Sequence, residues 1–220
     1  MQENNVYLSI LAPAISLSQL QKEVLVATML GDGHIIKNIP NGNARLSIDQ
    51  RYPKHAEHIY YLFHVFFSLI KEGNKPKIIS RKPDKRTGKV YSTIRFQTQS
   101  LPCLTAYFDL FYKKNEIGRF TKIVPQNIGD LLTARGLCQW IIDDGHRSAY
   151  NQTVLNTNRF SYKEILLLQQ ALLINFKLRT RTTEKQPGQY LIHIPVRQEV
   201  SLREIVSPYI IESIKHKIKY

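Results

Sequence analysis

Two aspartates lie at matching places in two apolar segments, each at a point where the chain turns. The segment at 25–33 reads LVATMLGDG and the segment at 137–145 reads LCQWIIDDG, so that Asp32 and Asp144 each precede a glycine. Carboxylate oxygens bind hard divalent cations, and Mg²⁺ keeps several waters, so one or two carboxylates suffice to hold it. A single aspartate of this kind is more simply a turn residue at a helix end. Its recurrence 112 residues later favours a shared chemical role.

The first segment opens a series of predicted elements that must position its aspartate. Ser18 and Gln21 form a capping-box pattern at the start of the first helix. Alternating apolar and polar residues at 44–50 predict a strand, and a helix is predicted from Pro53 to about Ile70, with proline in its first turn. Two further strands, at about 77–81 and 90–98, and a helix over about 101–112 complete the series.

The second segment opens the same series again. Thr133 is the predicted cap of its helix, a strand is predicted at 153–157, and Ser161 with Glu164 forms a capping box for a helix to Phe176. Strands at 178–183 and 190–194 and helices over 202–214 follow. A repeated order of elements indicates a duplicated, pseudo-symmetric chain. We expect a first repeat at 1–116, a linker at 117–131 and a second repeat at 132–220.

The charge of the chain indicates a polyanionic partner. The formal net charge is +14, and residues 71–100 carry nine Lys or Arg against two acidic residues, which is half of that excess. Lysine and arginine gain affinity for nucleic acid by releasing the counterions condensed on its phosphates. The alternative is a solvated basic surface without a partner.

Cysteine content and hydropathy exclude other classes of protein. Two cysteines, Cys103 and Cys138, are too few for a disulfide framework or a zinc site. The most apolar run, at 59–70, is interrupted by His64 and Ser68 and is shorter than the about 20 residues that span a bilayer. No membrane partner is expected. The first twenty residues lack Lys and Arg, so no secretory or transit segment is expected either.

The two apolar segments resemble the nine-residue motif of the LAGLIDADG homing endonucleases, in the variant with two motifs per chain. The resemblance extends from about Leu17 onward and is similar to the intron-encoded enzymes of yeast-mitochondrial type. It implies an α+β fold of two α-β-β-α-β-β-α-like units, with two antiparallel sheets forming a DNA-binding saddle around a central two-helix interface. It also implies a monomer. The abundance of Ile, Lys, Asn and Tyr suggests an AT-rich organelle genome, and therefore an origin in a mitochondrion or chloroplast.

The resemblance further implies the composition of the active site. Asp32 and Asp144 match the acidic ligands of a shared metal centre, and the backbone carbonyls of Gly31 and Asp143 are expected to face the metals. The expected cofactor is Mg²⁺, at sites that also accept Mn²⁺ or Ca²⁺, because divalent ions activate water and neutralise charge during phosphodiester hydrolysis. His34 and His146 follow the motifs, but an oxygen-rich site disfavours imidazole ligands.

Two lysines match the family's basic catalytic residues. Lys122 belongs to the first repeat and Lys217 to the second, where Lys215 and Lys219 are competing matches. Each is expected to polarise water or to stabilise charge in the transition state. The alternative for each lysine is a phosphate contact or a surface charge.

The strands are expected to carry DNA recognition, since an antiparallel sheet fits the major groove and alternate side chains then meet base edges. The predicted base-facing residues are Arg45, Ser47, Arg81, Arg95 and Gln97 in the first half and Asn156, Arg179, Arg181 and His193 in the second. The predicted phosphate-contacting residues, on loops, are Lys75, Lys85, Arg86 and Lys185. The alternative for each strand residue is a solvent-facing position in the sheet.

The favoured function is a metal-dependent endonuclease that cuts both strands of a long double-stranded DNA site. The second hypothesis is a maturase that binds the host intron RNA, with or without cleavage. The third is a DNA-binding protein without catalysis. Two retained metal-binding carboxylates argue against the third, and a splicing assay separates the first two.

Overall fold

The computed structural model describes residues 15–210 and shows two halves with the same order of elements. The first half and the connection after it comprise the following: α1 (Gln19–Leu30), β1 (His34–Ile36), β2 (Arg45–Tyr52), α2 (Ala56–Val65), β3 (Lys77–Ser80), β4 (Ser92–Gln97), α3 (Pro102–Phe111), β5 (Tyr112–Lys114), β6 (Phe120–Lys122) and α4 (Ile128–Leu131). The second half comprises the following: α5 (Ala134–Asp144), β7 (Gly145–Arg147), β8 (Thr153–Asn156), α6 (Tyr162–Phe176), β9 (Arg181–Gln186), β10 (Gln189–Ile194) and α7 (Glu199–Val206). Short 3₁₀ turns follow α2 and flank α7.

Each half contains one four-stranded antiparallel sheet, and the two sheets have matching strand orders. The first sheet has the order β1-β2-β4-β3 and the second the order β7-β8-β10-β9. In both, alternate residues of the central strands enter the hydrophobic core, as Leu46 and Ile48 do in β2 and Leu155 does in β8. The predicted α+β fold of two similar units is confirmed.

Helices α1 and α5 pack against each other along the middle of the protein. Both are buried on nearly all sides, because α1 also contacts β1 while α5 also contacts β8 and α7. The two helices approach closely at Gly136, where a Cβ would lie 3.4 Å from the carbonyl oxygen of Glu23. The central two-helix interface of the prediction is therefore present.

The predicted helix caps are confirmed. The Ser18 hydroxyl accepts from the Gln21 amide at 3.2 Å, and the Gln21 side chain accepts from the Ser18 amide at 3.0 Å. Thr133 accepts from the Gly136 amide at 3.1 Å, and Ser161 with Glu164 forms the second capping box. These local bonds set where the helices begin.

The predicted start of α2 at Pro53 is wrong. Strand β2 continues to Tyr52, two residues beyond its predicted end, because its last residues still pair with β4. The chain turns after β2 before the helix begins. Pro53 lies in that turn, and the helix begins at Ala56. Its end is also earlier, at Val65, and a 3₁₀ turn continues the chain.

The segment predicted as a linker is folded and packed. It contains β6, which pairs with β5, and it contains α4. The Val124 amide donates to the Glu164 carboxylate of the second half at 2.8 Å. This segment therefore joins both halves rather than spanning a gap between them, while the domain boundaries as such stay predictions.

Within residues 15–210, none of the helices combines the length and the apolar character needed to cross a bilayer.

Candidate active site

The ends of α1 and α5 bring the two predicted catalytic turns together. A Cβ added to Gly31 would lie 2.7 Å from the Cβ of Asp143, so the two turns are in direct contact at this point. Asp32 and Asp144 follow these two residues, and the charge of Asp32 raises the pKa of Asp144. The two carboxylates thus share one site, although they are 112 residues apart in the chain.

Asp144 is a half-buried acid that resists ionisation. Burial, and then the charges of Asp32 and Asp143, raise its pKa to about 7, against the opposing effect of Arg159 and Lys122. Its Oδ2 atom is buried and receives no hydrogen bond from the described part of the chain. Such an oxygen would gain most from a cation, since desolvated carboxylates are stabilised by nearby positive charge.

Asp32 differs from Asp144 because it is exposed and already accepts a hydrogen bond. The donor is Gln50 Nε2, 3.0 Å from Asp32 Oδ2. Gln50 was missed by sequence reasoning, but a signal was available. It follows Leu46 and Ile48 in the alternation of β2, so it is a polar residue on the core-facing side of a strand, and it is 7% exposed.

Lys122 lies at the first catalytic turn, as predicted from the motif match. Its Nζ donates to the carbonyl oxygens of Gly31, at 3.1 Å, and Gly33, at 2.5 Å. Burial and the charge of Arg159 lower its pKa to about 7, while Asp144 and other aspartates oppose this shift. The Gly31 carbonyl, expected to face a metal, accepts from this ammonium group here.

The hairpin β5-β6 holds Lys122 in place. Lys122 pairs with Tyr112 across the hairpin, and the Tyr112 hydroxyl accepts from the Ile35 amide at 3.0 Å. The hairpin is therefore anchored to the strand that follows the first turn. Lys217, the predicted counterpart of Lys122 in the second repeat, lies outside the described residues.

Asn156 and Arg159, at the end of β8 and just after it, act on the second turn. Asn156, predicted to face DNA, donates from Nδ2 to the Asp144 carbonyl oxygen at 2.6 Å. Arg159, between β8 and α6, was missed by sequence reasoning, and its charge acts on Lys122 and Asp144 alike. No pattern in the sequence distinguishes it from other exposed arginines.

The predicted DNA-facing residues of the first sheet share one face. In the register, Ser47 pairs with Gln97, and Asp49 pairs with Arg95, so these side chains lie on the face opposite Leu46 and Ile48, although Ser47 itself is only 4% exposed. Gln97 Nε2 also donates to Ser47 Oγ at 3.1 Å. Arg45 lies on the same face, and Arg81 follows directly after β3.

In the second sheet the register places Asn156, Arg181 and His193 on a common face. His193 Nε2 lies 2.7 Å from the Thr183 hydroxyl, and burial followed by the charges of His146 and Arg181 lowers its pKa. Two predictions about placement are wrong. Lys185 lies within β9 rather than on a loop, because the β9–β10 hairpin turns two residues later than the sequence suggested. Arg179 precedes β9, and its amide bonds to Gln198 instead of a strand.

The three remaining basic residues, Lys75, Lys85 and Arg86, lie on loops as predicted. Asp84 orders the loop between β3 and β4: its Oδ1 accepts from the amides of Arg86, at 3.0 Å, and Thr87, at 2.8 Å. These bonds lower the pKa of Asp84. The loop therefore holds its cations in a defined arrangement although it is exposed.

The described residues fit a magnesium ion better than a metal that needs imidazole or thiolate ligands. Over residues 15–210, no group of three or more His, Cys, Asp and Glu side chains is placed to hold a metal ion. The site instead offers two carboxylates, of which Asp144 has a buried oxygen without a donor. Mg²⁺ accepts such a set, since waters and substrate phosphates complete its shell.

Comparison with known proteins places these observations in context. The model of the LAGLIDADG DNA endonuclease family matches residues 22–202. The chain is 29% identical over 215 residues to DNA endonuclease I-ChuI of Chlamydomonas applanata, covering 93% of this chain and 96% of that protein. It is 30% identical over 199 residues to the cytochrome b mRNA maturase bI2 of Saccharomyces cerevisiae, covering 89% of this chain but only 46% of that protein.

One solved structure is also similar over most of the chain. It is the homing endonuclease I-WcaI bound to its DNA recognition sequence, with a TM-score of 0.81 and 26% identity, covering 94% of this chain and 88% of that one.

Proposed function

Since this chain belongs to the LAGLIDADG DNA endonuclease family, we propose that it is a site-specific homing endonuclease that hydrolyses both strands of a double-stranded DNA target. The observation that carries the proposal is the contact of the two turns, which brings Asp32 and Asp144 into one electrostatically coupled site. One such site reaches both strands of a duplex from a single chain. We therefore propose that a monomer is the active species.

We propose Mg²⁺ as the cofactor, held by Asp32 and Asp144 together with backbone carbonyls at the two turns. A bound divalent ion supplies an activated water and neutralises charge that develops on the phosphate. The raised pKa of Asp144 supports this assignment, because an acid that is costly to ionise alone becomes fully ionised beside a cation.

The surrounding side chains hold protons and charge at defined atoms. Gln50 fixes the Asp32 carboxylate through its Nε2. Burial and the charge of Arg159 lower the pKa of Lys122 to about 7, so its Nζ is suited to exchange a proton at the first turn. Arg159 adds a permanent positive charge to the same site.

The two sheets and the ordered β3–β4 loop supply binding. The side chains of Arg95 and Gln97 are placed to meet base edges in the major groove, whereas Lys85 and Arg86 are placed to hold phosphates. The DNA-bound relative supports a duplex as the partner.

A maturase function is the second candidate, and the similarity to a cytochrome b mRNA maturase favours it. Because the matched region is less than half of that protein, its activity does not transfer directly. The same relative supports our proposal of an organellar origin. Splicing of the host intron transcript, measured with and without the purified protein, tests this candidate independently of DNA cleavage.

The nuclease proposal is tested with Asp32→Asn and Asp144→Asn. The probe is a DNA duplex in which the two exons that flank the intron carrying the coding frame are joined. Each substitution should slow Mg²⁺-dependent cleavage by about 100-fold or more, since groups that merely support metal ligands are already worth about 10- to 100-fold. Binding, measured in EDTA, should stay within a few-fold of wild type. Asp109→Asn, at an exposed position of α3, is the matched control.

Wild-type rates of cutting in either catalytic variant would remove the proposed roles of these aspartates. Absence of cutting by the wild-type protein in any divalent metal would remove the nuclease proposal itself.

A further inference from the structure

A buried polar contact joins the two repeats beside the second catalytic turn. His58 Nε2, from α2 of the first repeat, lies 2.6 Å from Asp143 Oδ1. Gln139 Nε2, one turn earlier in α5, donates to the same oxygen at 3.1 Å. All three side chains are buried: His58 is 4% exposed, Asp143 9% and Gln139 2%. His58 Nε2 also lies 3.1 Å from Gln139 Nε2, so the three side chains form one buried polar cluster.

This contact belongs to a difference between the two motifs. Asp143 stands at the position of the second motif that Gly31 occupies in the first. The Asp143 side chain fills the space that a side chain at residue 31 would need, since a Cβ there would lie 2.7 Å from Asp143 Cβ and 3.0 Å from its Oδ2. The separation of the two turns therefore depends on where the Asp143 side chain stands.

We propose that His58 is a positioning residue for the second catalytic turn. Its hydrogen bond holds the Asp143 carboxylate inside the protein and against Gly31, and this fixes the backbone from which the adjacent Asp144 presents its carboxylate. Because α2 packs on β2 and β4, the contact also ties the DNA-binding sheet of the first repeat to the catalytic turn of the second. The inference rests on the proposed nuclease function, since its effect is on cleavage.

Without the His58 imidazole, the hydrogen bond from Gln139 is the one that remains to the Asp143 carboxylate among the described residues. A buried charged group that loses its shortest hydrogen bond moves toward another donor or toward water. Any such rotation of Asp143 shifts the contact with Gly31 and the neighbouring backbone. A displacement of about 1 Å at a catalytic group costs on the order of 100-fold in rate.

The test compares two substitutions at one position. In His58→Gln the side-chain amide reaches the place of Nε2 and retains a hydrogen bond to Asp143, whereas in His58→Asn the shorter side chain does not reach Asp143. Arg135→Met is the matched control, because it breaks the 3.1 Å bond to Glu23 at the other end of the same α1–α5 interface. Asp143→Ala removes the anchored carboxylate without leaving a buried charge, and it serves as the second variant if His58→Asn fails to fold.

Cleavage is measured in single turnover with saturating protein on the joined-exon duplex, with the two strands labelled separately. The DNA strand that Lys122→Ala slows more is assigned to the first turn. The other DNA strand is then assigned to the second turn. Binding in EDTA and the melting temperature are measured for every variant. We expect His58→Asn and Asp143→Ala to slow the second-turn strand at least about ten-fold more than the other, with DNA affinity changed less than about three-fold. We expect His58→Gln and Arg135→Met to keep the wild-type strand ratio.

Any one of three results would overturn the inference. These are equal slowing of both strands, a wild-type strand ratio in His58→Asn, and a loss of DNA affinity large enough to account for the lost rate. If the wild-type protein cuts while these variants keep its strand ratio, only this inference fails. If the wild-type protein cuts neither strand, the proposed function fails and the inference fails with it.

Discussion

Replacing Asp144 with asparagine is expected to stabilise the metal-free protein at and above neutral pH. In the wild-type protein, burial and the charges of Asp32 and Asp143 raise the pKa of Asp144 from 3.8 to about 7. At 1.36 kcal/mol for each pKa unit, this difference corresponds to about 4 kcal/mol of unfavourable free energy when the folded protein must ionise the group. Asparagine has nearly the same shape and carries no charge.

The pH window follows from the two pKa values. Between pH 4 and 7 the folded state binds the proton of Asp144 more tightly than the unfolded state does, so the contribution of this group to stability falls as the pH rises through that range. The advantage of Asp144→Asn should therefore be small near pH 4 and reach at most about 4 kcal/mol at pH 8. The loss of a favourable charge beside Lys122 offsets part of it, because Asp144 raises the pKa of that lysine.

Thermal unfolding in EDTA at several pH values measures this effect. For a chain of this size, about 4 kcal/mol corresponds to a rise of roughly 8–16 °C in Tm at pH 8. The exposed-site control Asp109→Asn should show no gain that grows with pH. Adding Mg²⁺ should raise the Tm of the wild-type protein and leave that of Asp144→Asn nearly unchanged. A Tm difference that is independent of pH, or a variant less stable than wild type at pH 8, would refute the reasoning.

Three further predictions concern catalysis and DNA binding. Lys122→Ala should slow one strand more than the other and accumulate nicked plasmid, because this lysine donates hydrogen bonds to the Gly31 and Gly33 carbonyls of the first turn. Equal rates on two end-labelled strands would contradict this. Affinity for duplex DNA should fall steeply as the salt concentration rises. A plot of the logarithm of the binding constant against the logarithm of the salt concentration should have a slope of several units, at about 0.9 for each neutralised phosphate. An affinity independent of salt would exclude phosphate contacts as its source. Arg95→Ala should relax specificity at one position of the site, whereas Lys85→Ala should weaken all sequences alike, as competition with single-substitution duplexes would show.

The sequence determined those features that arise from neighbouring residues. Helix starts at Ser18, Thr133 and Ser161 were predicted because a cap is a bond between residues three positions apart. The faces of β2 and β4 were predicted because side chains alternate along any strand. The repetition of the acidic turn at Asp32 and Asp144 predicts a pair of metal-binding carboxylates.

Where elements begin and end depended partly on pairing with distant strands. Tyr52 remains in β2 because Ser92 pairs with it, and this displaces the start of α2 from Pro53. Lys185 is part of β9 because the pairing of this strand with β10 continues beyond it to Gln186. No local pattern around these residues contains the partner strand, so their placement was mispredicted.

The electrostatics of the site were decided by the tertiary structure alone. Gln50 reaches Asp32, and Lys122 reaches Gly31 across 91 positions of the chain, only because α1, β2 and the β5-β6 hairpin converge there. The contact between His58 and Asp143 spans 85 positions and depends on how α2 packs beside α5. The pKa of about 7 at Lys122 has the same origin, since burial and the charges of neighbouring groups exist only when segments distant in sequence exclude water from a common site.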